Sequence, residues 1–137
     1  MDPKNGPEKP PERYRLPKKR KSTTIAARVN GNKVHVTMGE YSDGTLGEIF
    51  IDLHKVGSFS RGILHCFSKL FSIALQYGVP LRVLVRPFRG VQFAPDGDVT
   101  GHETIKRAKS VVDYAMQVLS CAYPDKCDKY EEKNEAL

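Results

Sequence analysis

Arg82, Arg86 and Arg89 stand in LRVLVRPFRG, a run whose Leu and Val alternate in the manner of a core strand. A guanidinium offers a planar fork of donors that fits phosphate or carboxylate oxygens two at a time. Read as a strand over residues 81–88, the run puts Arg82 and Arg86 on one face about 13 Å apart. That separation suits two phosphates, one elongated anion or a contact to another subunit. It equally suits Arg stems that cover apolar surface or pair with Glu48 and Asp52.

A second basic feature lies upstream. Lys55-Val-Gly-Ser58 immediately precedes a helical pattern; Gly57 admits close backbone approach, Ser58 can donate or cap, and the amides of a helix start favour negative charge. An ordinary helix cap meets the same description. Along the helix that follows, Arg61, His65, Ser68, Ser72 and Gln76 recur at spacings of four, three, four and four, a polar stripe with small side chains at its middle. Small residues permit close approach of another helix, and a homo-oligomer is expected on that ground. Between residues 55 and 109 nine basic residues face three acidic ones, so anion binding is the chemistry this region could do.

No residues are expected to be catalytic. There is no GxSxG elbow, Walker A loop, GxGxxG fingerprint or HExxH pair. Glu48 and Asp52 would share a strand face, but about 13 Å apart they exceed the reach of paired glycosidase carboxylates. Cys121 and Cys127 are six apart with no second Cys/His pair, which gives no metal site, and Cys66 lies in an apolar helical pattern. No cofactor is expected.

The elements that must position these residues follow from period and punctuation. TTIAARV and KVHVTMGEY flank Asn30-Gly31, a hairpin turn, and GEIFIDL (47–53) makes a third strand. From Ser58 the period shifts to three and four, with Ile63, Leu64, Phe67, Leu70, Phe71 and Ala74 as the apolar face of a helix that ends before Gly78. Residues 81–88 form the fourth strand. Thr100-Gly-His-Glu103 has the form of a capping box, opening a last helix from 103 to about 122. The order βββαβα predicts an α+β two-layer sandwich, a four-stranded sheet with two helices on one face.

Most of the excess charge is in the first 21 residues: eight Lys/Arg against three acids there, and fourteen against thirteen in the rest. Residues 1–21 are a Pro-rich basic arm expected to be disordered, 22–122 the domain, and 123–137 a charged tail. PKKRK at 17–21 reads as a solvated arm or a nucleic-acid patch; with few aromatics on basic strands, nucleic acid ranks last among partners. No apolar run reaches the roughly 18 residues a membrane span needs, and no apolar stretch backs the basic N-terminus as in a secretory signal. A cytoplasmic protein with no membrane partner is expected.

Taken in order, Arg15-Leu16-Pro17, GEIFI at 47–51, Lys55-x-Gly57-Ser58, LQYGVPL at 75–81, Phe93-x-Pro95-x-Gly97 with Thr100, and Ser110-x-x-Asp113-Tyr114 resemble the TSCPD domain. That is the C-terminal module of adenosylcobalamin-dependent ribonucleotide reductases. The family's catalytic barrel and radical-handling cysteines do not fit into 137 residues, and Cys121 and Cys127 do not reproduce its Cys-rich tail. The resemblance therefore implies a module that works by binding, near nucleotide metabolism. It suggests a phosphorylated nucleotide-type ligand, held to regulate a reductase or to sequester a nucleotide signal, as a phage-encoded anti-defence sponge would. Lys55, Gly57, Ser58, Arg61, Arg82, Arg86 and Arg89 would supply charge and donors, and His65 and Gln76 would orient a base or line a subunit interface. The alternative is an accessory that docks on a reductase subunit.

Overall fold

The computed structural model describes residues 11–127. Asn30 and Gly31, at φ of 45° and 79°, make the expected turn between β1 (Ser22–Val29) and β2 (Asn32–Glu40). Positive φ at both central residues matches the twist of the flanking strands, and the pairing runs without a break from Val29 opposite Asn32 to Ser22 opposite Gly39. β3 (Leu46–Leu53) pairs with β2, and the strand period buries Val34, Val36, Met38, Ile49, Ile51 and Leu53 on one side.

The sheet has five strands where four were expected. β4 (Gly97–Thr100) pairs with β1 and β5 (Arg107–Ala108) with β4, giving an antiparallel order β3-β2-β1-β4-β5. The segment read as the fourth strand is helical: α2 (Leu81–Val85) continues into a 3₁₀ turn, Arg86–Phe88. Leu81 and Val85 are its buried residues, one helical turn apart, and Pro80 and Pro87 bracket it. A five-residue Leu/Val run satisfies both periods; Pro87, which has no N–H for a ladder, fits the first turn of a 3₁₀ helix. The overall class is α+β as expected.

The last long helix, α3 (Val111–Ala122), begins eight residues later than expected. Thr100 is in β4, and the working cap is Ser110, whose Oγ accepts from Asp113 N at 2.9 Å and donates to Val91 O at 2.7 Å. α3 buries Val111, Tyr114, Met116, Val118 and Leu119 in the same core as the inner side chains of β2 and β3. After it comes the short α4 (Pro124–Cys127), within the segment read as a charged tail. Of the N-terminal arm, residues 11–21 precede the first strand; residues 1–10 and 128–137 lie outside the described residues. None of the described helices is long and apolar enough to cross a membrane.

Tyr114 is fully buried, yet among the described residues its hydroxyl has no hydrogen-bond partner, and burial pushes the phenol up to about 12. A desolvated, unpaired hydroxyl costs about 1 kcal/mol or more. Tyr114→Phe is therefore expected to raise the urea midpoint by the equivalent of about 1 kcal/mol; a lower midpoint would show that the hydroxyl is satisfied.

Candidate functional site

Helix α1 (Ser58–Gln76) decides where most of the candidate residues point. It packs along β3, the edge strand, with its polar stripe inward. Four helical residues rise about 6 Å and two strand residues about 6.7 Å, so side chains at i, i+4 and i+8 can meet alternate backbone groups of a neighbouring strand. Ser68 Oγ accepts from Ile51 N at 2.9 Å, Ser72 Oγ accepts from Ile49 N at 2.9 Å, and Gln76 Nε2 donates to Gly47 O at 3.1 Å. Each serine keeps its own proton busy: Ser68 donates to Leu64 O, and Ser72 lies within reach of Ser68 O and Ile49 O. The stripe read as a water-facing or subunit-facing flank is thus a substitute for a missing strand. Conversely, Ile63 and Leu70, read as core, are exposed.

Gln76 does more than close the strand. Its Oε1 accepts from Arg13 Nε at 2.8 Å and its backbone oxygen from Tyr14 N at 2.9 Å, so it bolts the N-terminal arm to the end of α1. Further along the arm, the Leu16 side chain and the Tyr41 ring lie against Gly47, where a Cβ would stand 2.6 Å from the Tyr41 ring. Tyr41 Oη donates to Tyr14 O, and burial raises its phenol. Arg20 is clamped by both Glu48 oxygens and donates to Pro17 O at 2.9 Å; the Glu48 hydrogen bond raises the guanidinium further.

At the other end of β3 a second cluster forms around Asp52. Arg61 grips its carboxylate with Nε and Nη2, both at 3.0 Å, and His65 Nε2 lies 3.1 Å from Oδ1. His54 Nε2 is 3.9 Å from Oδ2 and 3.0 Å from His35 Nδ1, while Phe50 is tilted over His65 with ring centroids 4.7 Å apart. Partial burial alone would raise the Asp52 carboxyl, but the hydrogen bonds and charges of Arg61 and His65 outweigh it, and the carboxyl sits below its ordinary 3.8. A depressed folded value contributes stability above the unfolded value that is lost as pH falls through the folded one. Stability is expected to drop more between about pH 5 and about pH 3 in the parent than in Asp52→Asn, as measured by urea midpoints; equal losses would remove Asp52 from the account.

The nine predicted binding residues are therefore divided among four places. Lys55, at φ 58°, Gly57 and Ser58 form the corner into α1; Gly57 is the N-cap residue, and the cap has no side-chain hydrogen bond. Arg61 and His65 turn onto Asp52, and Gln76 is the bolt at the far end of the same helix. Arg82 and Arg86 are one helical turn apart on α2 and the 3₁₀ turn, about 6 Å along the axis instead of 13 Å. Arg89 follows that turn, and the segment packs on α3 and α4. Among the described residues, no group of three or more His, Cys, Asp or Glu side chains is placed to hold a metal ion.

Sequence reasoning passed over a hollow beside the arm. It has a volume of about 620 Å³ and is lined by Lys19, Arg20, Lys21, Glu40, Tyr41 and Ser42, among others. With Arg20 committed to Glu48, the ammonium groups of Lys19 and Lys21 have no partner among the described residues. The volume is in the range of small-molecule sites. The signal was Leu16, an apolar residue just ahead of the basic run whose side chain packs by Gly47; Tyr14 holds the arm through its backbone N and O while its ring stays exposed.

The family model for the TSCPD domain matches residues 8–123. The chain belongs to the TSCPD family. The match begins within the arm, in keeping with the arm's anchoring on Gln76 and Gly47. A vitamin B12-dependent ribonucleotide reductase of Bradyrhizobium diazoefficiens is 44% identical over 117 residues, which is 85% of this chain and 9% of that relative. The same enzyme of Agrobacterium fabrum is 44% identical over 82% of the chain and 9% of its own length. That of Streptantibioticus cattleyicolor is 39% identical over 80% and 18%. This TSCPD chain thus spans between about a tenth and a fifth of these curated relatives. No solved structure matches it significantly.

Proposed function

We propose that this TSCPD chain is a non-catalytic binding module that holds a phosphorylated nucleotide-type ligand. The observation that carries the reading is the hollow beside the arm, which Lys19 and Lys21 line together with Tyr41 and Ser42, and in which Glu40 is held by the Tyr123 hydroxyl. Ammonium groups attract phosphate as point charges, and an aromatic edge with a hydroxyl suits a base or sugar. Lys55, Gly57 and Ser58 stand apart from the hollow, at the corner into α1. Arg61 and His65 serve Asp52 in this reading. Holding such a ligand would either regulate a reductase or sequester a nucleotide signal, the role of a phage-encoded sponge.

Calorimetric titration with nucleoside mono-, di- and triphosphates and cyclic dinucleotides tests it. Binding by the parent, weakened about tenfold or more when Lys19 and Lys21 are both replaced by Glu and by added salt, is the expected result. No heat with any of them at millimolar concentration would end the reading.

A second reading, an accessory that docks on a reductase, is favoured by the kind of protein the relatives are: vitamin B12-dependent ribonucleotide reductases of which this chain matches a small part. Retention of such a reductase on the immobilised chain, with no small molecule released on denaturation, would select it.

A further inference from the structure

Helix α1 and its C-cap residue carry a second stripe, away from the serines that meet β3. Phe59, Ile63, Cys66, Leu70, Ile73 and Tyr77 recur at spacings of four, three, four, three and four, the 3.5-residue period of a coiled-coil seam. Phe59 and Tyr77 are each nine positions from Ser68, and at about 100° per residue that is the opposite side of the helix from the serines that bind β3. The stripe consequently faces away from the sheet. Phe59 is 79% exposed, Leu70 69%, Ile63 53% and Tyr77 36%, with Cys66 exposed and Ile73 half-buried. A helix that turns serine and glutamine inward and phenylalanine, isoleucine and leucine outward is using both sides for contacts.

We infer that this stripe is the contact surface for a second copy of the same chain, the two α1 helices packing antiparallel about a two-fold axis near residue 68. Self-complementarity is the argument for a like partner. About that axis Phe59 falls opposite the partner's Tyr77, Ile63 opposite the partner's Ile73, and Cys66 opposite the partner's Leu70, each layer combining side chains that fill the space together. The stripe itself carries no charge, so it makes no demand for an oppositely charged partner. The four most prominent side chains leave on the order of 400 Å² open. Two facing copies with their flanking residues would bury roughly 1,000 Å², the lower limit for a specific interface. The expected complex is therefore a reversible dimer. Lys69 flanks the seam and approaches its mate near the axis, its stem lying along the apolar surface. Association through such an interface tightens as salt rises, the reverse of what binding to an anionic partner would show.

Sedimentation velocity over a range of concentrations, in low and high salt, is the test. The parent chain is expected to move from monomer to dimer mass across the micromolar range, more readily in high salt. Leu70→Glu, which adds a charge to an already exposed position, is expected to weaken association about 100-fold or more while leaving the circular dichroism unchanged, and the urea midpoint unchanged when both are measured at concentrations where the parent is monomeric. An independent readout needs no variant: Cys66 should lose reactivity towards maleimide as protein concentration rises. The Lys19/Lys21 double replacement should leave the mass unchanged, so this inference and the ligand reading fail separately. A monomer at all concentrations, a dimer indifferent to Leu70→Glu, or a stripe protected only when a reductase chain is added would each overturn it.

Discussion

Asp113→Ala is expected to lower the stability of the fold by about 3 kcal/mol, equivalent to a Tm lower by about 10 °C. Asp113 is 5% exposed, and its carboxylate accepts from three donors: Gly90 N at 2.7 Å, Lys109 N at 2.8 Å and Gln117 Nε2 at 3.0 Å. One side chain on the first turn of α3 thereby closes the long excursion between the 3₁₀ turn and the helix. Removing it leaves two part-buried backbone amides and the Gln117 amide without their shared acceptor, while the Ser110 cap, which accepts from the backbone N of residue 113, stays in place. Charge-assisted bonds are roughly twice as strong as neutral ones, which is why the effect exceeds that of an ordinary surface cap. Asp113→Asn should fall between, since one amide oxygen can serve one donor but its NH₂ faces another. Hydrogen exchange separates this account from a general loosening: the amides of Gly90 and Lys109 should accelerate most. If they exchange no faster than β2 in Asp113→Ala, the carboxylate is not what holds them.

The double replacement of Ser68 and Ser72 by Ala should cost about 2–4 kcal/mol, although each change removes a single oxygen from a residue often treated as neutral. The hydroxyls are the acceptors for Ile51 N and Ile49 N, and without them two buried edge-strand amides lose their partners. Each single replacement should account for about half, with coupling between them because Ser72 also reaches Ser68 O. Exchange at Ile49 and Ile51 is the diagnostic measurement, and a melting temperature within error of the parent's would contradict the bonding scheme. Ser72→Thr offers a contrast, since it keeps the acceptor while adding a methyl to a tight contact.

The strands around Asn30 and Gly31 were legible in the sequence because everything that determines them is local: two residues that accept positive φ, and flanking positions that alternate. The extent of α1 was legible for the same reason. Its orientation was not, because the rule that apolar residues face inward assumes that the backbone of the neighbouring element is already satisfied. Here β3 lacks a strand on one side, and hydroxyl and amide side chains were needed inward more than Ile63 or Leu70. Residues 81–88 failed differently. Five Leu and Val residues carry both periods, and only the placement of Leu81 and Val85 in the core chooses between them. Thr100-x-x-Glu103 and Ser110-x-x-Asp113 are both plausible helix starts by composition; pairing of Thr100 with Arg28 across the sheet removes the first. The same limit applies to the site. Arg61 and His65 could be placed on one helix face, but that Asp52 on a neighbouring strand would absorb them depends on tertiary packing.

One consequence follows from how the sheet is finished at its two margins. Along β3 the outward main-chain groups are plugged by serine and glutamine side chains, and at the opposite margin β5 is only two residues long. Along β3 an extended peptide therefore finds no run of open backbone to zip onto, and at the β5 margin it finds only two residues, so neither margin is a template for β-strand addition or runaway fibre growth.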